Sequence, residues 1–88
     1  MNIAYKLYTE NKNIELVEDL VGRYFDGFTI RQGAGYYKGL KEGSLTIEVM
    51  GNEEDGVKVK RLAAKIRDAN DQDCVLMTKE VLASVEFV

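Results

Sequence analysis

The spacing of the apolar residues changes several times along this 88-residue chain, and the order of the changes constrains the fold strongly. Four segments alternate or are rich in β-forming residues, as in half-buried strands, and two repeat at three- and four-residue spacing, as in helices. The predicted strands are 2–8, 28–39, 44–50 and 74–78, and the predicted helices are 14–25 and 57–69. The order β-α-β-β-α-β predicts an α+β, ferredoxin-like sandwich with an antiparallel sheet and two helices on one face.

Two parts of this pattern leave the strand boundaries open. Segment 33–39 is rich in glycine, which predicts a bulge or bend inside the second strand, with the hairpin turn at 40–43. Residues 81–88 alternate again, so they either form a short fifth strand or continue strand four through a bend. An exchange of this strand with a neighbouring copy is a further alternative, because its edge would otherwise stay unpaired.

Length and composition indicate one domain that covers residues 1–88. The net charge of −3 argues against nucleic-acid binding driven by overall charge. We expect a cytoplasmic protein without a membrane segment, because no apolar run is long enough to span a bilayer and no signal peptide precedes the first strand. The single cysteine, Cys74, excludes an internal disulfide and is expected to be a buried core thiol.

The composition speaks against catalysis. The chain has no histidine, so the commonest general base and the usual nitrogen ligands of zinc and iron are missing. We therefore predict a protein that is not an enzyme and that has no metal site and no cofactor. A small enzyme that uses carboxylates and tyrosines is the alternative.

The candidate binding residues cluster around the glycine-rich segment. Glycines there would let backbone amides approach an anion, with a lysine supplying charge and two tyrosines supplying a stacking surface. The alternative is a hairpin in which the tyrosines only cover the sheet. The polar segment 70–73 could bind a cation or a hydroxyl-rich ligand, or could simply end the second helix. The residues we predict to bind a ligand or partner are Arg31, Tyr36, Tyr37, Lys38 and Gln72.

A second candidate site is the basic second helix. Lys58, Arg61 and Lys65 share one face of that helix by their spacing. They could form an anion-binding surface for nucleic acid, a less favoured partner than a protein or a small molecule. A solvated helix surface with no partner is the alternative.

Aromatic residues on the sheet face opposite the helices predict self-association. Tyr8, Tyr36 or Tyr37, and Phe87 could lie there, and a broad aromatic patch on a small domain commonly marks an interface. We expect a homo-oligomer, with a dimer as the favoured form.

Four short motifs resemble an uncharacterised family of small bacterial and phage- or prophage-encoded domains. The family pattern is Phe-Asp-Gly-x-Thr, then Gly-x-aromatic, then Gln-Asp-x-Val-Leu near the end. The matching segments are 25–29, 35–37, 42–45 and 70–76. The resemblance implies a ferredoxin-like fold and a mobile-element origin, and it carries over no catalytic residues.

These observations lead to one main functional hypothesis. The chain is expected to be a non-enzymatic binding protein of a phage or mobile element, which binds a host protein or sequesters a small anionic, nucleotide-like ligand, with counter-defence as one role. The alternatives are a nucleic-acid-binding module that uses the basic second helix and a small oligomeric structural or regulatory domain.

Overall fold

The computed structural model describes residues 2–88 and confirms the predicted order of elements. Its strands and helices are β1 (Ile3–Glu10), α1 (Ile14–Tyr24), β2 (Thr29–Tyr37), β3 (Leu40–Gly51), α2 (Asp55–Ala69) and β4 (Leu76–Val81). The sheet order is β2-β3-β1-β4, and every neighbouring pair is antiparallel. The predicted ferredoxin-like arrangement is therefore present.

The core lies between the sheet and the two helices. Alternation along β1 sends Ile3, Tyr5 and Leu7 to the helix side, where each is at most 1 % exposed. The inward residues of the other central strand and of the helices complete the core: Leu45, Ile47, Val49, Val17, Val21, Val59, Leu62 and Ile66. Among residues 2–88, no helix covers the opposite side of the sheet, here called the open face.

The hairpin between β2 and β3 differs from the prediction. Its register runs without interruption from Thr29 opposite Glu48 to Tyr37 opposite Leu40, so the predicted bulge is absent. The turn is Lys38-Gly39, not 40–43, and both residues have positive φ, as in a type I′ turn. The backbone of a type I′ turn matches the right-handed twist of the flanking strands, so β2 and β3 pair without interruption as far as the turn.

The end of the chain also differs from the prediction. β4 extends to Val81, and within residues 2–88 no fifth strand forms after it. The amide of Leu82 donates to the carbonyl of Asn2 at 2.9 Å, and β1 begins one residue later. Residues 83–88 lie beyond the register in which β4 pairs with β1, and within residues 2–88 they belong to no strand.

A buried tyrosine joins β1 to the start of α2. The hydroxyl of Tyr5 donates to the carbonyl of Asn52 at 2.6 Å. Lys79 lies near it and is bonded to Glu53. Burial raises the pKa of the Tyr5 hydroxyl above 10.0, partly opposed by the positive charge of Lys79.

This raised pKa makes the protein less stable in alkali. Above pH 10 the unfolded tyrosine ionises while the folded one stays neutral, so the free energy of unfolding falls as pH rises towards the folded pKa. We expect Tyr5→Phe to cost about 0.5–1.5 kcal/mol at neutral pH through the lost hydrogen bond. Above pH 10 the free energy of unfolding of Tyr5→Phe should fall less steeply with pH than that of the wild type. Urea unfolding at several pH values measures both effects. If the free energy of unfolding fell equally steeply with pH above 10 in the wild type and in Tyr5→Phe, the raised pKa of Tyr5 would be contradicted.

Candidate functional site

A groove of about 420 Å³ opens at the end of the sheet where β1 finishes. It lies between the outer part of the β2–β3 hairpin and the segment that joins α2 to β4. Its lining residues are Tyr8, Thr9, Glu10, Lys12, Gly35, Tyr36, Tyr37, Glu42, Gly43, Ser44, Asp71, Gln72, Asp73, Cys74 and Leu76.

The first wall exists because the hairpin is longer than its neighbour. β1 pairs with β3 only as far as Glu10 opposite Ser44. The β2–β3 hairpin continues to Tyr37 opposite Leu40, so its outer part extends beyond the sheet. Gly35 in β2 leaves room for the side chain of Ser44 in β3, because a Cβ at Gly35 would lie only 3.3 Å from the Cβ of Ser44.

The second wall is held by a network of polar side chains. Asn70 is buried, and its Nδ2 donates to the carbonyl of Lys12 and to Oε1 of Gln72, each at 3.3 Å. Nδ2 of Asn13 donates to Oδ1 of Asn70 at 2.9 Å. These bonds fix the segment after α2 against the loop after β1, which gives the groove a defined shape.

Gln72 lines the groove, but its side chain is already engaged. Its Oε1 accepts from Oγ1 of Thr9 at 2.6 Å as well as from Asn70, and its Nε2 donates to the carbonyl of Cys74 at 3.3 Å. The structure therefore assigns Gln72 to shaping the wall. Its predicted role in binding remains a prediction.

Three tyrosines give the groove its aromatic surface. Tyr8 and Tyr37 project from the open face, as the strand register shows, and Tyr36 projects from the other side of β2. Tyr36 and Tyr37 are 71 % and 64 % exposed, so their rings are available to a ligand. Aromatic faces of this kind bind flat rings and cations.

Acidic side chains outnumber basic ones in the groove. Four carboxylates line it, from Glu10, Glu42, Asp71 and Asp73, against the single ammonium group of Lys12. Nζ of Lys12 lies 3.4 Å from Oε2 of Glu10, so part of its charge is already balanced. The potential in the groove is therefore negative at neutral pH.

The structure brings together three of the five predicted binding residues. Tyr36, Tyr37 and Gln72 line the groove, whereas Arg31 and Lys38 do not. Nη1 of Arg31 lies 3.6 Å from Oε2 of Glu48, on the open face. Arg31 and Lys38 therefore lie apart from the other three, and a binding role for the five residues remains a prediction.

Other groove residues were not predicted as a cluster. Tyr8 was expected only on an aromatic sheet face, and Glu10 was not singled out. Their position at the end of β1 was a usable signal, because the ends of strands often carry binding residues. Cys74 was expected in the core but is exposed on the groove, because β4 starts only at Leu76 and leaves it in the preceding loop.

Lys38 occupies the first position of the hairpin turn. Its φ of 50° is a conformation that side chains other than those of glycine and asparagine adopt at a cost. Nζ lies 5.4 Å from the centre of the Tyr37 ring, outside the groove. The residue acts here mainly as a strained part of the turn.

Replacing Lys38 with asparagine should stabilise the protein. Asn-Gly is the preferred pair for a type I′ turn, so we expect Lys38→Asn to raise the free energy of unfolding by about 0.5–1 kcal/mol. Urea unfolding measures the change, with Lys41→Asn in β3 as the control. A free energy of unfolding that falls in Lys38→Asn, or that changes as it does in the control, would contradict the assigned turn.

The basic helix is present, but the structure does not show what it binds. Lys58, Arg61 and Lys65 are all exposed on α2. Nζ of Lys58 lies 4.5 Å from the centre of the Phe25 ring, an arrangement that favours a cation–π contact. Anion binding by this face remains a prediction.

Among residues 2–88, no three side chains of histidine, cysteine, aspartate or glutamate are grouped so as to hold a metal ion. None of the helices in this part of the chain is both long and apolar enough to cross a membrane.

Comparison with known proteins identifies the fold and no family. The sequence matches no protein-family model and no curated protein. A DUF3240-family protein from Shewanella baltica OS155 has a similar structure, with a TM-score of 0.81 and 10 % identity over 99 % of this chain and 96 % of that one. CutA1 from Pyrococcus horikoshii gives a TM-score of 0.67 and 16 % identity, covering 98 % and 87 %.

A phage SAM lyase in complex with S-methyl-5′-thioadenosine is a third similar structure. Its TM-score is 0.62 at 16 % identity, over 90 % of this chain and 80 % of that one. At these identities the similarities establish a shared fold and nothing more. The resemblance to phage-encoded domains therefore remains a prediction.

Proposed function

We propose that this chain is a binding protein whose groove takes a small molecule with a flat ring and a neutral or positive charge, without converting it. The observation that carries the proposal is the combination of three tyrosines and four carboxylates around one groove of about 420 Å³. That volume is within the range of about 300–1,000 Å³ that is common for small-molecule sites.

The tyrosines suit the ring of such a ligand. Tyr8 and Tyr37 lie on the same side of the sheet, and Tyr36 adds a second aromatic surface at the extended hairpin. A nucleoside base could stack on one of these rings, an interaction that tolerates different bases because each has a flat face. A nucleoside is therefore a suitable class of ligand.

The charge of the groove modifies the prediction made from the sequence. A nucleotide-like anion would meet Glu42, Asp71 and Asp73 with little to offset them besides Lys12. Like charges disfavour binding, whereas a cation would be attracted by both the carboxylates and the aromatic faces. We therefore propose a nucleoside without phosphates in place of the anionic ligand.

S-adenosylmethionine and S-methyl-5′-thioadenosine are informative probes for this proposal. The first carries a positively charged sulfonium, and the second has the same nucleoside without that charge. A phage SAM lyase with this fold is described in complex with the second compound. The shared fold supports the choice of probes, while the proposal itself depends on the groove.

Sequestration is the action that we propose for such a protein. The absence of histidine from the sequence removes the commonest general base, so retention of the ligand is favoured over turnover. In a phage or mobile element, withholding a small host molecule would serve counter-defence. This biological setting is part of the proposal, as is the cytoplasm as its location.

NMR titration of the full chain with S-adenosylmethionine tests the proposed site. We expect the largest amide shifts at Tyr8, at 35–37 and at 71–74, and only small ones at Arg61 and Lys65. Arg61→Ala is the matched control and should leave the affinity unchanged. Chromatography after incubation should recover the probe intact. Shifts centred on α2, or steady conversion of the probe, would contradict the proposal.

A further inference from the structure

We propose that residues 82–88, here called the end segment, add as an extra strand to the outer edge of β2 in a second copy of this chain. The proposal is independent of the ligand groove. It rests on three features of the described residues: an edge strand whose outer backbone groups face no neighbouring strand, an alternating segment that belongs to no strand, and complementary charges.

The outer edge of β2 can accept another strand. In a two-residue hairpin the residues that flank the turn, here Tyr37 and Leu40, exchange both backbone hydrogen bonds. Alternation along the ladder then directs the N–H and C=O groups of Ile30, Gln32 and Ala34 outward. The sheet order places β2 at one edge, so these groups have no partner strand among the described residues.

The end segment has the pattern of a strand but no strand beside it. Ala83, Val85 and Phe87 alternate with Ser84 and Glu86. Phe87 is fully exposed and Val85 is 38 % exposed. Residues 83–88 form no backbone hydrogen bond with any residue from Asn2 onward. An unpaired apolar segment of this kind is prone to join a free sheet edge.

The charges of the two elements are complementary. The only charged side chain in the end segment is that of Glu86, whereas β2 carries Arg31 and is followed by Lys38. Arg31 stays 63 % exposed despite its contact with Glu48. Opposite charges on adjacent strands stabilise a pair modestly, by about 0.2–1 kcal/mol.

Geometry favours a second copy over pairing within one chain. β4 and β2 are the opposite edges of the sheet, so three strand spacings separate them, or about 14 Å. The end segment would also have to turn back across a sheet face. Each copy has one such edge and one such segment, so the contacts close as a reciprocal dimer or as a small ring.

Native mass spectrometry of the full chain at tens of micromolar tests the proposal. We expect a defined oligomer for the wild type. Ala34→Pro removes an outward N–H from β2 and Phe87→Asp removes the apolar end, so both should give at least tenfold more monomer. Glu86→Gln, the milder control, should shift the equilibrium less than either. A monomeric wild type, or an oligomer that is unchanged in both variants, overturns the proposal.

Hydrogen exchange of the wild-type protein tests the same proposal without a variant, so the proposal can be tested even if a variant fails to fold. Alternate amides within residues 84–87, and those of Gln32 and Ala34, should be protected at high protein concentration and lose that protection on dilution. Fast exchange of these amides at every concentration would overturn the proposal. Because neither experiment includes a ligand, their outcome is separate from that of the proposed function.

Discussion

Replacing Tyr37 with alanine is expected to weaken binding of S-adenosylmethionine roughly 5- to 150-fold, because loss of one stacking ring costs about 1–3 kcal/mol. Tyr37 lines the groove and projects from the same side of the sheet as Tyr8. It is also largely exposed, so its removal should leave the folded structure intact. Isothermal titration calorimetry measures the change in Kd.

Two further variants separate the ring from other effects. Tyr37→Phe keeps the ring and should stay within about threefold of the wild type, since only the exposed hydroxyl is lost. Leu40→Ala changes an exposed residue of the same hairpin that does not line the groove, and it should have no effect. Equal loss of affinity in Tyr37→Ala and Leu40→Ala would contradict the stacking role.

Replacing Asn70 with alanine is expected to lower the free energy of unfolding by about 1–3 kcal/mol, because the buried amide of Asn70 makes three hydrogen bonds that are lost together. The change removes the acceptor of Asn13 and the donor to the carbonyl of Lys12. Urea unfolding measures the loss, with Lys65→Ala on the exposed side of α2 as the control. The second wall of the groove should loosen as well.

The consequence for binding distinguishes this role from general stability. At a temperature where Asn70→Ala is fully folded, its affinity for S-adenosylmethionine should still fall. The amides of 71–74 should exchange faster than the global loss of stability accounts for, whereas those of the central strand β1 should change only by that global loss. Unfolding that matches the Lys65→Ala control would show that the network does not hold the wall.

The architecture could be predicted from the sequence because it depends on periodicity. Alternation at Ile3, Tyr5 and Leu7 and the helical repeat at Val17 and Val21 mark the buried side of each element, and burial determines the fold. The hairpin was mispredicted for a local reason. Glycines in a strand indicate either a bulge or a close approach of backbones, and only the register distinguishes the two.

The groove could not be predicted because it results from a difference in strand length. The extended hairpin forms a wall only because β1 ends at Glu10. The sequence shows neither that β1 pairs with β3 nor where that pairing ends. Tyr36 and Tyr37 were predicted from their residue type and from the glycines beside them. Arg31 was predicted to bind with them, but alternation along β2 places it on the open face, beside Glu48, where it does not line the groove.

The negative groove also changes the expected ligand class. Net charge describes the whole chain, whereas a ligand responds to the few charged groups within about one Debye length, roughly 10 Å. Glu42 lies in β3, whereas Asp71 and Asp73 lie in the segment after α2, far from it in sequence, and folding places all three around one groove. The net negative charge of the groove can therefore be recognised only from the structure.

The most direct test of the proposed function compares the binding of a cationic nucleoside derivative with that of an anionic nucleotide to the same protein. Isothermal titration calorimetry with S-adenosylmethionine and with ATP, at low and at moderate salt, gives both affinities and their salt dependence. We expect S-adenosylmethionine to bind at least tenfold more tightly, with the difference shrinking as salt screens the carboxylates. Tighter binding of ATP, or no binding of S-adenosylmethionine, would contradict the proposed function.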